Sequence, residues 1–307
     1  MISTREAYGK ALAKLVSEHE DVVVLDADLS KSTKTCYAQN TCAKRHINMG
    51  IAESNMMGVA AGLAASNKVV FASSFAMFAA GRAFEQIRNS ICYPNLNVKI
   101  CATHAGISVG EDGASHQCIE DLALMRSIPN MNVFQPCDAI ETEAIIKAIY
   151  ELNGPCYIRL GRLDVESVYS ESETFEIGKG KILQSGEKIA LIASGLMVQE
   201  TIKAAKLLNE NPTIVDMHTI KPIDKKLIKE LALTHEIIVT IEEHTILGGL
   251  GGAVAEVISP LDTYCRHYLL GIQDEFGQSG KAKDLLHHYG LSAEKIADYI
   301  NRILRNN

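Results

Sequence analysis

Residues 98–117 read VKICATHAGISVGEDGASHQ, a short apolar run followed by a long polar loop. A short run of apolar and β-branched residues without strict alternation is typical of a strand buried on both faces of a sheet. Comparable runs lie on either side of it, at DVVVLDADL, KVVFASSF and MNVFQP, with a helical pattern between successive runs. This alternation predicts an α/β fold in which helices cover both faces of a mostly parallel sheet.

The alternation extends along the rest of the chain. Ser3 followed by Glu6 has the spacing of a capping box and predicts a first helix over residues 3–18. Between about residue 163 and residue 186 the chain turns polar and acidic, and a second series of strands and helices follows. In that series TIVDMHTI, residues 213–220, is predicted to form one strand. The sequence therefore predicts two such α/β domains, 1–165 and 186–307, joined by a linker over 166–185.

Composition limits the classes of function. The chain has 307 residues, a formal net charge of −7 and 22% charged residues, which gives no basic surface for nucleic acid or for a membrane. No apolar run reaches the roughly 18 residues of a membrane span, and the first residues lack a signal-peptide pattern, so a cytoplasmic location is expected. The eight cysteines form no CxxC pair and the histidines lack ligand spacing, so we expect free thiols and no metal site in this chain.

A glycine cluster, ILGGLGGAV at 246–254, follows one predicted strand and opens a helix. That context suits a dinucleotide-binding turn, but the spacing does not fit GxGxxG. Close packing of helix on strand is the better prediction.

Polar segments follow the predicted strands of the first domain, where open parallel sheets bind their ligands. They are DADLS, NMGIAES, SSFAMF, THAGISVGEDGASHQ and RLGR. The loop from His104 to His116 is unusually long and carries two acids and three glycines, which favours a functional loop. Glu53, by contrast, also suits ordinary helix-dipole stabilisation, and Phe75 and Phe78 also suit a core.

These segments, in this order, resemble the C-terminal half of transketolase, the thiamine diphosphate enzyme that moves two-carbon ketol units between sugar phosphates. The loop is similar to the family pattern in which TH is followed by GEDGxxHQ. The resemblance covers essentially the whole chain and implies a pyrimidine-binding domain up to about residue 165, followed by the family's C-terminal domain.

The family's diphosphate-binding GDG motif is absent from this sequence. The resemblance therefore implies one subunit of a split transketolase, active only with an N-terminal subunit that carries that motif. The expected cofactors are thiamine diphosphate and Mg²⁺ or another divalent ion, with the metal ligands on the partner. A heterotetramer is expected.

The resemblance also implies roles for individual residues. Glu53 would hydrogen-bond the aminopyrimidine ring of the cofactor as the catalytic acid, which requires partial burial to favour its protonated form. Phe75 and Phe78 would pack on that ring, and Asp28 would lie near the thiazolium. The chain departs from the family at one position, where Gly81 or Arg82 stands and many members have a further aromatic residue. The spacing from Phe78 to Arg88 is one residue longer than in those members.

The remaining implied roles concern the sugar. His116, as a second catalytic residue, and Asp112 would contact hydroxyl and carbonyl oxygens of the donor. His104 and Arg162 would bind the sugar phosphate, because a guanidinium matches phosphate with two hydrogen bonds. Arg159 is a second candidate cation, with a salt bridge at the strand end as the alternative.

Three other functions stay open from the sequence. The beta chain of a two-oxoacid dehydrogenase has a similar length, but such chains lack the TH and GEDGxxHQ loop. Deoxyxylulose-phosphate synthase is similar in the second domain, but it usually has arginine at the position of His104. A non-catalytic regulatory subunit is disfavoured because Glu53, Asp112 and His116 are all present.

Overall fold

The computed structural model describes residues 1–306, which form two large sheets and one small antiparallel sheet of two strands, β1 and β8, with helices packed around them. The strands are β1 (Ile2–Ser3), β2 (Val22–Asp26), β3 (His46–Asn48), β4 (Val69–Phe75), β5 (Val98–Thr103), β6 (Asn132–Phe134), β7 (Cys156–Arg159), β8 (Asp164–Val165), β9 (Lys181–Gln184), β10 (Ile189–Ala193), β11 (Thr213–Asp216), β12 (Thr219–Lys221), β13 (Ile237–Thr245) and β14 (Arg266–Ile272). The α-helices are α1 (Thr4–Glu18), α2 (Ser30–Thr33), α3 (Cys36–Thr41), α4 (Glu53–Ala65), α5 (Phe84–Gln86), α6 (Asp121–Ser127), α7 (Ala139–Glu151), α8 (Met197–Ala205), α9 (Lys225–Thr234), α10 (Leu250–Ile258), α11 (Ala282–His288) and α12 (Ala293–Asn306).

The first sheet has seven strands in the order β12-β6-β7-β5-β4-β2-β3, all parallel except β12. Successive side chains of a strand point to opposite faces. In β2, Val22 and Val24 pack with residues of α1 and α7, whereas Val23 and Leu25 pack with residues of α4. Helices therefore cover both faces, which confirms the predicted fold class.

The second sheet has the order β14-β13-β10-β11-β9 and is parallel except for β9. One of its faces packs with α8 and α12. Its other face packs with α9 and α10 in a hydrophobic core that continues into the first domain. The two domains therefore share buried apolar surface.

Two predicted boundaries differ from the structure. The run TIVDMHTI is not one strand, because it breaks after Asp216 and its second half, β12, pairs antiparallel with β6 of the first sheet. The predicted linker over 166–185 is too long, because β9 lies inside it and pairs with β11 of the second sheet. A segment of the second domain, β12, therefore extends the sheet of the first domain.

The first helix has the predicted length but not the predicted cap. The Ser3 side chain makes no capping hydrogen bond, and Glu6 instead accepts from Tyr37 at 2.6 Å and pairs with Lys34 at 2.9 Å. Glu6 thus ties α1 to the segment that follows β2.

The helix predicted at AGRAFEQIRNSI contains two wide turns of the π type, Met77–Arg82 and Ile87–Cys92, on either side of α5. A π turn absorbs one additional residue without ending the helix. A π turn in this segment would accommodate the extra residue between Phe78 and Arg88 that the family resemblance implies.

The cysteines within the described chain are free thiols, as predicted. None of the helices within residues 1–306 combines the length and the apolar character needed to cross a bilayer.

A buried acidic cluster lies between the domains. Glu141 of α7, Asp216 of β11 and Cys137 place ligand atoms within 4.8 Å of one another. Tyr169 donates to Asp216 at 2.8 Å, and one oxygen of each carboxyl group lacks any other partner. Burial raises the pKa of Asp216 to about 6 and holds the pKa of Glu141 well above its ordinary value. One proton shared between the two carboxyl groups would give both of these oxygens a hydrogen-bond partner. We therefore interpret Glu141 and Asp216 as a pair that shares one proton at neutral pH.

We expect this pair to make stability depend on pH. The folded state binds the Asp216 proton more tightly than the unfolded chain, so the free energy of unfolding should fall as pH rises from about 4 to about 6, by roughly 2 kcal/mol. Asp216→Asn imitates the protonated acid and should flatten this slope in chemical denaturation at several pH values. Asp262→Asn, at an exposed acid, is the control. An unchanged slope in Asp216→Asn would contradict the assignment.

Candidate active site

The candidate site lies at the carboxyl ends of the parallel strands of the first sheet. Phe75 is the last residue of β4, and His104 directly follows β5. Their rings stack, with centroids 3.8 Å apart. Because β4 and β5 are neighbours in the sheet, these two residues from distant positions meet at one edge.

Further aromatic rings extend this contact. Phe78 lies 6.0 Å from Phe75, and the His116 ring meets the Phe78 ring edge-on at 5.3 Å between centroids. Phe75 is 7% exposed, whereas Phe78 and His116 are partly exposed. Ring faces of this kind pack well on a flat ligand ring. The structure thus brings Phe75, Phe78, His104 and His116 together.

Glu53 supplies a buried carboxylate beside these rings. It is the first residue of α4, and its side chain is only 2% exposed. Its Oε2 accepts a hydrogen bond of 2.8 Å from Arg82, whose guanidinium carbon lies 4.9 Å from the centre of the Phe78 ring. Arg82 therefore connects Glu53 to the aromatic cluster.

His104 is held as a neutral imidazole. Arg5 Nη1 lies 3.2 Å from His104 Nε2, and a guanidinium can only donate, so Nε2 accepts. Nδ1 then carries the proton and faces the Thr103 hydroxyl at 2.9 Å. Burial, together with Arg5 and Arg162, lowers the pKa of His104 to about 3. In this arrangement His104 orients Arg5 and has no N–H free on Nε2 for a phosphate.

Arg5 is a site residue that the sequence analysis missed. It lies in the first turn of α1, and its Nη1 also donates to the carbonyl of Ser32 at 2.9 Å. Its Nε is buried and has no hydrogen-bond partner. The available signal was an arginine in the first turn of a predicted helix, which is too common a pattern to single out. Arg5 adds a cation next to His104.

Arg162 lies on the other side of the loop at 104–117. Its Nη1 donates to the carbonyl of Val109 and lies 3.6 Å from Glu111. Its side chain is 38% exposed. Burial of Arg5, together with the nearby Arg162, lowers the pKa of Arg5, so these two cations share one region. Like-charged side chains held close together favour an anionic ligand between them.

The loop is braced by the second domain. Glu243 accepts from the Ser108 backbone N–H at 2.5 Å, and Gln117 donates to the carbonyl of Gln278 at 3.0 Å. Gly106 and Gly113 have positive φ angles, and a Cβ at either would collide with Glu243 or Ser279. The second domain thus fixes the conformation of the loop.

The two remaining predicted acids are exposed. Asp28 follows β2 with a φ of 67°, and its N–H donates to the Asn48 side chain at 3.1 Å. Asp112 lies at the exposed tip of the loop. Both lie on segments that follow the strand ends of the first sheet, and neither is buried in the way that Glu53 is.

Arg159 does not lie open toward a ligand. It is 2% exposed, and its Nε donates to both oxygens of Asp121 at 2.9 and 3.1 Å. Its Nη2 donates to the carbonyls of Cys118 and Glu243. These contacts match the strand-end salt bridge that the sequence left as the alternative. The structure therefore gives no support to Arg159 as a second phosphate-binding cation.

The glycine cluster packs within the second domain. Glu242 accepts from the backbone N–H groups of Leu250 and Gly251 at 2.6 and 2.8 Å, and a Cβ at Gly249 would collide with it. Burial raises the pKa of Glu242 to about 7. The chain's own carboxyl group thus occupies the start of α10, where a dinucleotide phosphate would bind.

The site is suited to a ligand with a polar-edged flat ring and an anionic tail. Glu53 and the phenylalanines offer a carboxyl group and apolar ring faces, as an aminopyrimidine requires. Within residues 1–306, the group of His, Cys, Asp and Glu side chains that could hold a metal is Cys137, Glu141 and Asp216, at the domain boundary rather than at this site.

Comparison with known proteins agrees with this geometry. Residues 1–167 match the transketolase pyrimidine-binding domain, and residues 178–296 match the transketolase C-terminal domain. A protein of Methanocaldococcus jannaschii named as a transketolase C-terminal section is 53% identical over 301 residues, covering 96% of this chain and 94% of its own length.

A solved split-gene transketolase, described as an inactive beta4 tetramer, is 52% identical with a TM-score of 0.91 and covers 98% of each chain. Human transketolase is 35% identical over 311 residues, which are 99% of this chain and 49% of that protein. The chain thus spans about half of the human enzyme. The chain belongs to the transketolase family, and it carries that family's pyrimidine-binding and C-terminal domains.

Proposed function

We propose that this chain binds the aminopyrimidine half of thiamine diphosphate and the sugar phosphate in a split transketolase that transfers two-carbon ketol units. The observation that carries the proposal is a set of contacts at one sheet edge. Glu53 meets Phe78 through Arg82, and ring contacts lead from Phe78 through His116 and Phe75 to His104. The carboxyl group and the aromatic faces suit the cofactor, and the cations beyond them suit the phosphate of the sugar.

Thiamine diphosphate, when bound, supplies the carbanion and the electron sink of ketol transfer. Glu53 holds or gives a proton at the ring nitrogen of the aminopyrimidine, and its burial favours that exchange over exchange with water. Phe75 and Phe78 keep the ring in an apolar environment. Asp28 lies near the thiazolium, and His116 and Asp112 contact the oxygens of the donor sugar.

The phosphate end of the sugar lies between two arginines. Arg5 and Arg162 provide guanidinium groups, and His104 orients the first of them. Guanidinium groups bind phosphate through paired, charge-assisted hydrogen bonds. Pentose phosphates are the substrate class that the family resemblance implies for this site.

A separate N-terminal subunit completes the site in this proposal. It carries the GDG motif and the ligands for Mg²⁺ or another divalent ion, and the two kinds of subunit form a heterotetramer. Two facts support this: the match to half of human transketolase, and the inactivity of a related tetramer built from beta chains alone.

A ketol-transfer assay tests the proposal. The chain is assayed alone and mixed with the N-terminal subunit, with thiamine diphosphate and Mg²⁺ present. We expect activity on sugar phosphates only in the mixture. Decarboxylation of a two-oxoacid instead would identify a dehydrogenase beta chain, and the absence of both reactions would identify a regulatory subunit.

Arg162→Ala tests the phosphate site. We expect KM to rise at least about tenfold for phosphorylated sugars and much less for unphosphorylated ones, because one charge-assisted contact is lost. Glu111→Gln removes the ion-pair partner of Arg162 but keeps the guanidinium, and is the control. Equal effects on both kinds of sugar would assign Arg162 to holding Val109 and the loop.

A further inference from the structure

Arg82 makes contacts that the proposed function leaves unexplained. Its guanidinium donates to Glu53 at 2.8 Å and lies 4.9 Å from the Phe78 ring centre. The Glu53 side chain is 2% exposed, whereas that of Arg82 is 49% exposed. Arg82 thus lies at the entrance to the carboxylate, over one of the two ring faces beside it.

The backbone holds Arg82 in this place. Arg82 ends the π turn Met77–Arg82, and its carbonyl accepts from the Ser54 hydroxyl at 3.1 Å. Both its main chain and its side chain are therefore bound to the first turn of α4. Either Gly81 or Arg82 stands where the resemblance places an aromatic residue in many transketolases, and π turns are frequent at functional sites.

Glu53 cannot bind Arg82 and the aminopyrimidine ring in the same protonation state. A guanidinium only donates, so Arg82 pairs with the ionised carboxylate. The acceptor nitrogen of an aminopyrimidine needs the protonated carboxyl group. Arg82 also covers one face of the Phe78 ring, which in the proposed function packs on the aminopyrimidine.

We propose that Arg82 is a positioning residue that occupies the aminopyrimidine subsite, keeps Glu53 ionised until the cofactor enters, and is then displaced with the uptake of one proton. This inference rests on the proposed function. Arg82 leaves Glu53, and Glu53 takes a proton from solvent and donates it in a hydrogen bond to the ring nitrogen. The exposed half of the Arg82 side chain gives it a path into solvent.

The test measures binding of thiamine diphosphate with Mg²⁺ to the complex of the full chain and its N-terminal subunit, by calorimetry in buffers of different ionisation enthalpy. Arg82→Met should tighten the dissociation constant by about three- to tenfold, because a competing ion pair of modest strength is removed. It should also lower the number of protons taken up on binding near neutral pH, since no ion pair with Arg82 then has to be replaced when the cofactor enters. Arg82→Lys should restore proton uptake toward the wild-type value.

Arg88→Met is the matched control, because Arg88 is an exposed arginine of the same helical segment that contacts Asn89 instead. If Arg82→Met weakens binding or leaves both affinity and proton uptake unchanged, Arg82 is not displaced and the inference is wrong. If the wild-type complex binds no thiamine diphosphate, the proposed function itself fails, which is a distinguishable result.

Discussion

Glu53→Gln in the assembled complex is expected to lose at least about a hundredfold in turnover, the usual size of the loss of a general acid or base. Glutamine has the same shape and can still accept from Arg82, so the chain should fold and assemble. It cannot give or hold a proton at the ring nitrogen. The measurement is kcat of the variant and wild-type complexes at saturating thiamine diphosphate, Mg²⁺ and sugar phosphates.

Glu141→Gln provides the matched control for this variant. Glu141 is also a buried glutamate in the first turn of a helix, but it lies at the domain boundary and favours the protonated form. We expect its turnover to stay close to the wild-type value. Turnover of Glu53→Gln within a few fold of wild type would remove Glu53 from the mechanism.

The fold class was predictable because it depends on local patterns. The apolar runs and the helical patterns between them alternate, and that order alone favours parallel strands with helical crossovers. The residues of β2 illustrate this, since Val22, Val23, Val24 and Leu25 are all buried, two on each face. Such a run has no polar face, and only a sheet covered on both sides accommodates it.

Strand pairing was less predictable because it depends on contacts distant in sequence. The run TIVDMHTI contains no glycine or proline to mark the point where β12 leaves for the first sheet. Glu6 had the spacing of a capping box, yet Tyr37 and Lys34 compete for its carboxylate. Tertiary partners of this kind override a local preference.

Some residues of the candidate site could likewise be predicted from the sequence, and others could not. Glu53, Phe75, Phe78, His104 and His116 could be named because they stand in recognisable segments at strand ends. Arg5 and Arg82 could not be assigned roles, because each depends on one partner that is distant in sequence. Arg159 shows the opposite problem. An arginine two residues before a glycine at a strand end suits a phosphate. Only the structure shows that Arg159 instead forms an ion pair with the buried Asp121.

Arg159→Met is expected to lower the free energy of unfolding by about 3–5 kcal/mol, because it leaves Asp121 buried without its cation. It also removes the hydrogen bonds to the carbonyls of Cys118 and Glu243, and the bond to Glu243 joins the first domain to the second. Tyr157 still donates to Asp121 at 2.7 Å and compensates only in part. Chemical denaturation of the full chain at neutral pH measures the change.

Two further variants separate this role from substrate binding. Lys226→Met removes an exposed ion pair of 3.8 Å with Glu230 and should cost less than about 0.5 kcal/mol. Asp121→Leu combined with Arg159→Met removes both buried charges and should recover much of the lost stability, because the penalty comes from the unpaired carboxylate. A small stability change in Arg159→Met, together with a selective rise in KM for phosphorylated sugars, would return Arg159 to the phosphate site. The buried geometry argues for the first outcome, since a guanidinium that already serves Asp121 and two carbonyls has little left to offer a ligand.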